Sequence, residues 1–334
     1  MLVTMKIVVQ RVHSPDVYLR YWTRAMADVH WFKKRRLFDY AREEMFEQIA
    51  EEFEKPESVH FVAKSRDAGK ILGVLGVKTK GSVGYFGRWE PAVPLEYRDS
   101  GAGEALIREA SSWLRKNRVG RIACMVRYPY SKPETGQWHM ALYRKCGFTH
   151  KGPVGLMLLA NLQRMMKAKQ KVENLHIVDG NDFPLKEFVD FTTRAYMSMP
   201  EDKAIHGHDP YVSSPDENVR LLRAVKDGKY GFSPPECWKV AELEDEVAGF
   251  VIAFMPKTKY RPSHGVIAEL GVFPEFRRKG IAYSLVAEMH ECFKNHGGRY
   301  SYVGTPRTNE TAIRMYRKAG YKPVFVLVDF EKPL

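Results

Sequence analysis

Apolar residues recur along the first half of the chain with two different spacings. Short runs rich in β-branched and aromatic residues predict strands, and stretches with apolar residues three or four positions apart predict helices. The predicted strands are residues 6–12, 59–65, 71–79, 84–93, 121–128 and 155–161, and the predicted helices lie within 16–54, 101–117 and 138–145.

The second half repeats this order of elements. Strands are predicted at residues 175–180, 238–244, 246–256, 264–272, 299–304 and 324–330, and helices at 184–197, 216–228, 280–293 and 310–318. The repeated order indicates two copies of one α/β unit of the α+β type with a mixed sheet. We expect the copies at 1–160 and 174–334, joined by a connector at 161–173 that has no strand pattern and no glycine.

Short matches at a constant spacing support the repeat. Four residues of the first copy recur 179 positions later: Glu90, Val93, Arg98 and Gly101 correspond to Glu269, Val272, Arg277 and Gly280. Further along, "YRKCGF" at 143–148 matches "YRKAGY" at 316–321. Two matches in the same order of elements make a chance resemblance between the halves a poor explanation.

Composition adds the charge distribution and the cysteines to this picture. The 334 residues suit two domains, and the formal net charge is +13. Residues 1–160 carry 27 Lys and Arg against 17 Asp and Glu, while 172–334 carry 22 against 23. A basic face suits a polyphosphate ligand, an acidic protein or nucleic acid, and an ordinary solvated surface explains it equally well. The four scattered cysteines predict reduced thiols and a cytoplasmic location, and no apolar run is long enough to span a membrane.

The segment "FPEFRRKGIAYSLV" at 273–286 combines a turn, three cations and the start of a helix. Such a turn presents unpaired backbone N–H groups at the positive end of the helix dipole, which predicts an anion site. Taken alone, the match also fits a helix start that only tolerates a small residue. No G-x-x-x-x-G-K-[ST] motif is present, and "SGAGEAL" lacks the third glycine of a dinucleotide-binding fingerprint.

The strand, turn and helix of "ELGVFPEFRRKGIAYSLV" resemble the coenzyme A-binding signature of the GNAT superfamily of N-acetyltransferases. A second stretch, "NETAIRMYRKAGY" at 309–321, resembles the N-x-x-A-x-x-x-Y-x-x-x-G-[FY] helix of that family. The first half repeats both in weaker form, so the resemblance is to a tandem member that covers nearly the whole chain. It implies two acyl-CoA-binding domains and direct transfer of an acetyl group from acetyl-CoA to an amine.

The resemblance also implies roles for individual residues. Tyr316 would protonate the departing thiolate, unless it is a buried core tyrosine. Glu269 would be the general base, although it could instead bind the charge of the acceptor or pair with an arginine. The residues implied in coenzyme binding are Gly271, Val272, Phe273, Arg277, Arg278, Lys279, Gly280, Ile281, Ala282 and Asn309 in the second copy, and Val93, Arg98, Ser100, Gly101, Ala102 and Gly103 in the first.

The two copies differ where catalysis would occur. Gly136 and His139 of the first copy stand where Asn309 and Ala312 stand in the second, although Tyr143 is retained. We therefore expect the C-terminal copy to be catalytic and the first copy to be non-catalytic, with coenzyme binding by the first copy left open.

The acceptor has no signature in the sequence. It could be a small molecule, a protein lysine or a protein N-terminus, and the acidic stretch 201–250 favours a cationic one. We expect no metal site, because loop composition explains "IHGHDPY" at 205–211 better than metal binding. Nucleic acid is a disfavoured partner, and the oligomeric state is left open. The rival hypothesis is a non-catalytic acyl-CoA-binding regulator, and an acyl group longer than acetyl is a further alternative.

Overall fold

A computed structural model describes residues 6–26, 36–37, 40–164, 172–261 and 263–334. The chain divides into two compact units. Unit 1 comprises Met1–Lys151 and Val326–Leu334, and unit 2 comprises Gly152–Phe325. None of the described helices is long and apolar enough to cross a lipid bilayer.

Unit 1 contains a mixed sheet with helices packed against it. Its strands are β1 (Ile7–Arg11), β2 (Arg36–Leu37), β3 (Tyr40–Ala41), β4 (Ser58–Ser65), β5 (Ile71–Lys80), β6 (Val83–Phe86) and β7 (Arg121–Pro129), and its helices are α1 (Pro15–Met26), α2 (Arg42–Phe53), α3 (Ala102–Lys116) and α4 (Glu134–Lys145). In the sheet β1, β4, β5, β6 and β7 lie side by side, with β6 and β7 parallel. The core beneath α1 and α2 is formed around Tyr18, Trp22 and Val74.

The helices predicted within 16–54 are α1 and α2, with the short pair β2–β3 between them; residues 27–35 and 38–39 of that stretch fall outside the described residues. One prediction about unit 1 is wrong in detail. The strand predicted at 84–93 ends at Phe86, and from there the chain continues irregularly, with Trp89 at φ 63°.

Unit 2 repeats the architecture with a longer helical insertion. Its strands are β8 (Thr149–Asn161), β9 (Leu175–Asp179), β10 (Trp238–Leu243), β11 (Glu246–Phe254), β12 (His264–Val272), β13 (Tyr300–Pro306) and β14 (Lys322–Pro333), and its helices are α5 (Leu185–Met197), α6 (Pro200–His206), α7 (Pro210–Ser213), α8 (Pro215–Lys226), α9 (Ile281–Asn295) and α10 (Glu310–Lys318). The order in its sheet is β8, β13, β12, β11, β10, β9, with β12 and β13 parallel, β11 antiparallel to β12, and β8 antiparallel to β13. The mixed α/β fold in two copies is confirmed.

The last strand of each half does not stay with that half. Strand β8 starts in unit 1, but from Gly152 onward it belongs to unit 2, where it pairs antiparallel with β13. Strand β14 starts in unit 2, and from Val326 onward it belongs to unit 1, beside β7. There Arg121 forms an ion pair of 2.8 Å with Glu331. The units therefore divide inside β8, whereas the sequence suggests a division at residue 160; residues 165–171 of the expected connector lie outside the described residues.

The cysteine prediction is wrong for one pair. Cys237 and Cys292, which lie 55 positions apart, form a disulfide with a Cα–Cα distance of 6.2 Å. The turn before β10 packs against α9, which places both cysteines in the interior of unit 2. Their spacing along the chain matches no motif, so the pairing comes from tertiary packing alone. Cys124 and Cys146 are free.

Candidate active site

Strand β12 separates from its parallel neighbour and opens a gap in the sheet of unit 2. The two strands pair from His264 and Tyr300 as far as Ile267 and Val303, the last pair among their described residues. Beyond that point β12 continues against β11 as far as Val272, and β13 continues against β8. A strand edge whose backbone groups are not paired with β13 therefore faces the gap.

A β-bulge at Ala268 determines which way Glu269 points. Ile252 is opposite Glu269 and Ala253 is opposite Ile267, so Ala268 is the extra residue. Before the bulge, a Cβ on Gly265 would contact Phe293 of α9; after it, a Cβ on Gly271 would contact Ala195 of α5. Because side chains alternate along a strand, the extra residue moves Glu269 from the α9 face to the α5 face.

With respect to the described residues, one backbone donor of Gly271, Val272 and Phe273 has no partner and faces the gap. Phe273 donates its N–H to Ala248 at 2.9 Å, on the side of β11. Leu270 uses the opposite side, where its N–H and carbonyl both contact the hydroxyl of Tyr196. By alternation Gly271 faces β11 and Val272 faces the gap, where its carbonyl accepts from Arg277. The N–H of Val272 is left to bind the amide chain of a ligand.

The turn after β12 has the geometry of an anion cradle. Gly280 has φ 93° and precedes the first residue of α9, with no side chain capping the helix. Among the described residues, no hydrogen-bond partner is found for the backbone N–H groups of residues 278–283, which include Ile281 and Ala282. Arg278 and Lys279 are exposed beside them. Six unpaired donors next to two cations suit a pyrophosphate.

Arg277 has a different position from its two cationic neighbours. Its guanidinium donates to the carbonyls of Val272 at 3.1 Å and Ala195 at 2.8 Å, and it forms an ion pair of 2.8 Å with Asp202. Its side chain therefore holds the turn against α5 and α6. The repeat preserves one of these contacts, since Arg98 of unit 1 reaches the carbonyl of Val93 at 3.5 Å.

Asn309 begins helix α10 and contacts the wall of the gap. Its Oδ1 accepts from the N–H of Ala312 at 3.1 Å, which is an N-cap. Its Nδ2 lies 3.3 Å from Nε2 of His206. The side chain thus orients the helix that carries Tyr316, and it lies at the cavity described next.

A cavity of about 140 Å³ occupies the gap between β12 and β13. Both predicted catalytic residues, Glu269 and Tyr316, line it. Tyr316 is 5% exposed, and its hydroxyl makes no hydrogen bond with the residues that the structure describes. Because this hydroxyl has no partner among the described residues and lines the cavity, it is available to a ligand.

The pKa values of Glu269 and Tyr316 are both raised in this cavity. Burial raises the pKa of Glu269 to about 8; the charge of Asp209 adds to this effect, and a hydrogen bond from Tyr196 opposes it. Burial, together with the charge of Glu269, also raises the pKa of Tyr316. Glu269 therefore has a basicity suited to accepting a proton near neutral pH, while Tyr316 holds its own proton.

The sequence did not identify three further residues of this cavity. Tyr196 of α5 fixes the edge of β12 at Leu270, and its ring packs 4.7 Å from that of His206. His206, with Asp209, belongs to the stretch "IHGHDPY", at which the sequence predicts no metal site. Among the described residues no group of three or more ligating side chains is placed to hold a metal ion. Only the mixture of histidines and aspartate in a loop hinted at a site here.

The corresponding region of unit 1 is closed by its own side chains. Glu90 is 2% exposed, and its two carboxyl oxygens accept from the Tyr18 hydroxyl and the Gly76 N–H. Tyr143, the counterpart of Tyr316, donates its hydroxyl to the carbonyl of Glu90 at 2.5 Å. A side chain on Gly136 would collide with the ring of Tyr128 at 2.3 Å, so no asparagine fits there.

The turn of unit 1 keeps the shape of the cradle with fewer free donors. Gly101 has φ 85°, close to the value at Gly280. Ser100 accepts the N–H of Ala102 at 3.3 Å, so one donor of the turn is used internally. A Cβ on Gly103 would contact Leu142 at 2.7 Å, which explains the small residue as a packing requirement of α3 against α4.

Comparison with known proteins shows that both units match the same family. The model of the acetyltransferase (GNAT) family matches residues 24–148 and 203–321. A tandem GNAT protein from the clavulanic acid biosynthesis pathway, solved without acetyl-CoA, is 16% identical and has a TM-score of 0.56, with 98% of both chains covered. A GCN5-related N-acetyltransferase from Sphaerobacter thermophilus is 16% identical with a TM-score of 0.62, covering 98% of this chain and 95% of its own.

A curated relative agrees over a short stretch. The probable N-acetyltransferase HLS1 of Arabidopsis thaliana is 40% identical over 53 residues, which is 16% of this chain and 13% of that relative. The two solved structures show the shared fold, and the family model covers most of both units. The chain therefore belongs to the acetyltransferase (GNAT) family, as an acyltransferase that carries two copies of the family's domain.

Proposed function

We propose that unit 2 transfers an acetyl group from acetyl-CoA directly to a primary amine, with Glu269 as general base and Tyr316 as general acid. The observation that carries this proposal is the cavity at the separation of β12 and β13. It brings together a carboxyl with a raised pKa and a tyrosine hydroxyl that has no partner among the described residues. Unit 1 is proposed to be non-catalytic, because the hydroxyl of Tyr143 is already bound to Glu90.

The residues of the gap fit acetyl-CoA as the donor. The free N–H groups of 278–283, with Arg278 and Lys279, would bind its pyrophosphate. The N–H of Val272 would bind an amide carbonyl of the pantetheine arm, which directs the thioester toward Tyr316. Arg277 would act by holding the turn in place.

The reaction balances with the two side chains alone. An ammonium with a pKa near ~10 must lose a proton before it attacks, and Glu269 takes that proton. The amine nitrogen bonds to the thioester carbon, the carbon–sulfur bond breaks, and the Tyr316 hydroxyl donates a proton to the thiolate. Once Glu269 is neutral, its charge no longer raises the pKa of Tyr316, so the acid becomes stronger as the base acts. The second proton of the attacking nitrogen then restores Tyr316, and Glu269 releases its proton to solvent, so one ammonium and one thioester give one amide, one thiol and one proton.

Thiol release from acetyl-CoA over a panel of primary amines tests this proposal. We expect release that depends on an amine and that Glu269→Gln reduces by about 10²–10⁴-fold. Propionyl- and butyryl-CoA in the same assay determine the length of the acyl group. Binding of acetyl-CoA without release for any amine would instead support the non-catalytic regulator, and steep salt-dependent binding of nucleic acid would strengthen that alternative.

A further inference from the structure

The charge of the cavity is opposite to that of the chain. The formal net charge of the protein is +13, yet no lysine or arginine is found among the described residues that line the cavity. Two carboxyl groups line it instead, Glu269 and Asp209. His206 adds no positive charge at neutral pH, because burial lowers its pKa. This environment disfavours an anionic acceptor and stabilises a cation.

Backbone contacts hold Asp209 in place, and they use only one of its two carboxylate oxygens. Its Oδ1 accepts the N–H of Tyr211 at 2.9 Å, and its own carbonyl accepts from Val212 and Ser213 at the start of α7. No hydrogen bond to Oδ2 is found within the described part of the chain. The carboxylate is therefore fixed by backbone contacts, and one of its oxygens is free to accept from a ligand.

The side chain of Tyr316 indicates independently that a ligand belongs in this cavity. It is 95% buried by exposed area and lines the same space, and its hydroxyl lacks a protein partner among the described residues. Asp209 and Glu269 are close enough that the charge of one alters the pKa of the other. The cavity therefore offers one place for a reacting amine, at Tyr316 and Glu269, and a separate carboxylate for a second cation.

We propose that the acceptor is a small aliphatic diamine whose reacting nitrogen lies at Glu269 and whose second, protonated nitrogen is bound by Asp209. This inference rests on the proposed function of unit 2. Size agrees with it: a cavity of about 150 Å³ holds one benzene molecule of six heavy atoms, and the cavity here is about 140 Å³. Diaminobutane also has six heavy atoms. A lysine side chain within a protein has a similar arm but presents neutral amides where the second ammonium would lie.

The test compares matched acceptors on the wild type and on Asp209→Asn. Asparagine keeps the oxygen that caps α7 and removes the charge, so the fold is retained. The acceptors are diaminobutane, butylamine and aminobutanoate, which differ only at the far end, together with a lysine-containing peptide. Steady-state thiol release gives KM and kcat, and calorimetric titration of diaminobutane gives its affinity without turnover.

We expect wild-type KM to be about tenfold lower for diaminobutane than for butylamine, as for one added charge-assisted hydrogen bond. Asp209→Asn removes this difference and improves the use of aminobutanoate. Equal KM values for the diamine and the monoamine, or preference for the peptide, would overturn the diamine assignment while acetyl transfer stands. Binding of diaminobutane that Asp209→Asn weakens, without turnover of any amine, would support the cation site and refute the proposed function.

Discussion

The two equivalent tyrosines provide a matched pair for testing how the copies have diverged. Tyr316 has no hydrogen-bond partner among the described residues, whereas Tyr143 donates to the carbonyl of Glu90. Replacing each with phenylalanine removes one oxygen and keeps the ring, including the edge-on contact of Tyr316 with Tyr321 at 5.4 Å. The same chemical change is therefore expected to lower turnover in unit 2 and stability in unit 1.

The expected changes in kcat and in the free energy of unfolding follow from these contacts. Tyr316→Phe removes a general acid, so kcat should fall about 10²–10⁴-fold, or roughly 3–5 kcal/mol in activation free energy. Its free energy of unfolding should change by less than about 0.5 kcal/mol, since no bond is broken. Tyr143→Phe leaves a buried carbonyl without its donor, which should cost unit 1 about 1–3 kcal/mol in stability, while kcat stays unchanged.

Both variants are measured by thiol release at saturating acetyl-CoA and by thermal unfolding, with acetyl-CoA affinity as the control for binding. We expect that affinity to be preserved in Tyr316→Phe. Wild-type kcat in Tyr316→Phe would remove its assignment as the acid. A loss of kcat in Tyr143→Phe at full stability would show that the first copy takes part in catalysis, against our assignment.

Two further predictions concern the base and the cradle. Because the carboxylate form of Glu269 is the active one and its pKa is raised to about 8, kcat/KM should rise about tenfold per pH unit below ~8 and level off above it. Glu269→Gln should abolish the part of the rise in kcat/KM that follows the titration of Glu269, and leave only the rise caused by titration of the amine itself. Identical pH profiles of kcat/KM in the variant and the wild type would reject Glu269 as the base. Gly280→Val forces a β-branched residue to φ 93° at the cradle and should abolish acetyl-CoA-dependent turnover, while Gly101→Val, at φ 85°, should leave it intact. Equal losses from both variants in turnover measurements would show that the turn of unit 1 also serves the reaction.

Local sequence predicted the elements on which the site is built. The strand 264–272 and the helix 310–318 were predicted with the bounds that the structure shows, because each carries a clear periodicity with glycine or asparagine at its edge. Glu269 and Tyr316 were also predicted to face one site, and the structure places both at one cavity. Their catalytic roles stay predictions.

Features that depend on pairing between distant segments could not be predicted. The bulge at Ala268 is visible only from the register of β11 against β12, and simple alternation would have placed Glu269 on the same face as Ile267. The internal contacts of Arg277 with Ala195 and Asp202 join residues about 75 or more positions apart, and nothing in the local motif separates Arg277 from Arg278. The same reason applies to the disulfide and to Asp209.

The exchange of β8 and β14 has a consequence for the order in which the protein can be completed during synthesis. Unit 1 requires residues 326–334 for its sheet, and these residues emerge from the ribosome after the whole of 152–325. At about 5–20 residues per second, that stretch takes roughly 10 to 35 s to translate. During this interval the edge of β7 that later lies beside β14 is a strand edge awaiting its partner, which is a hazard for aggregation. The half that is synthesised first is thus the last to be finished, and cutting the gene at the connector would leave it without its final strand.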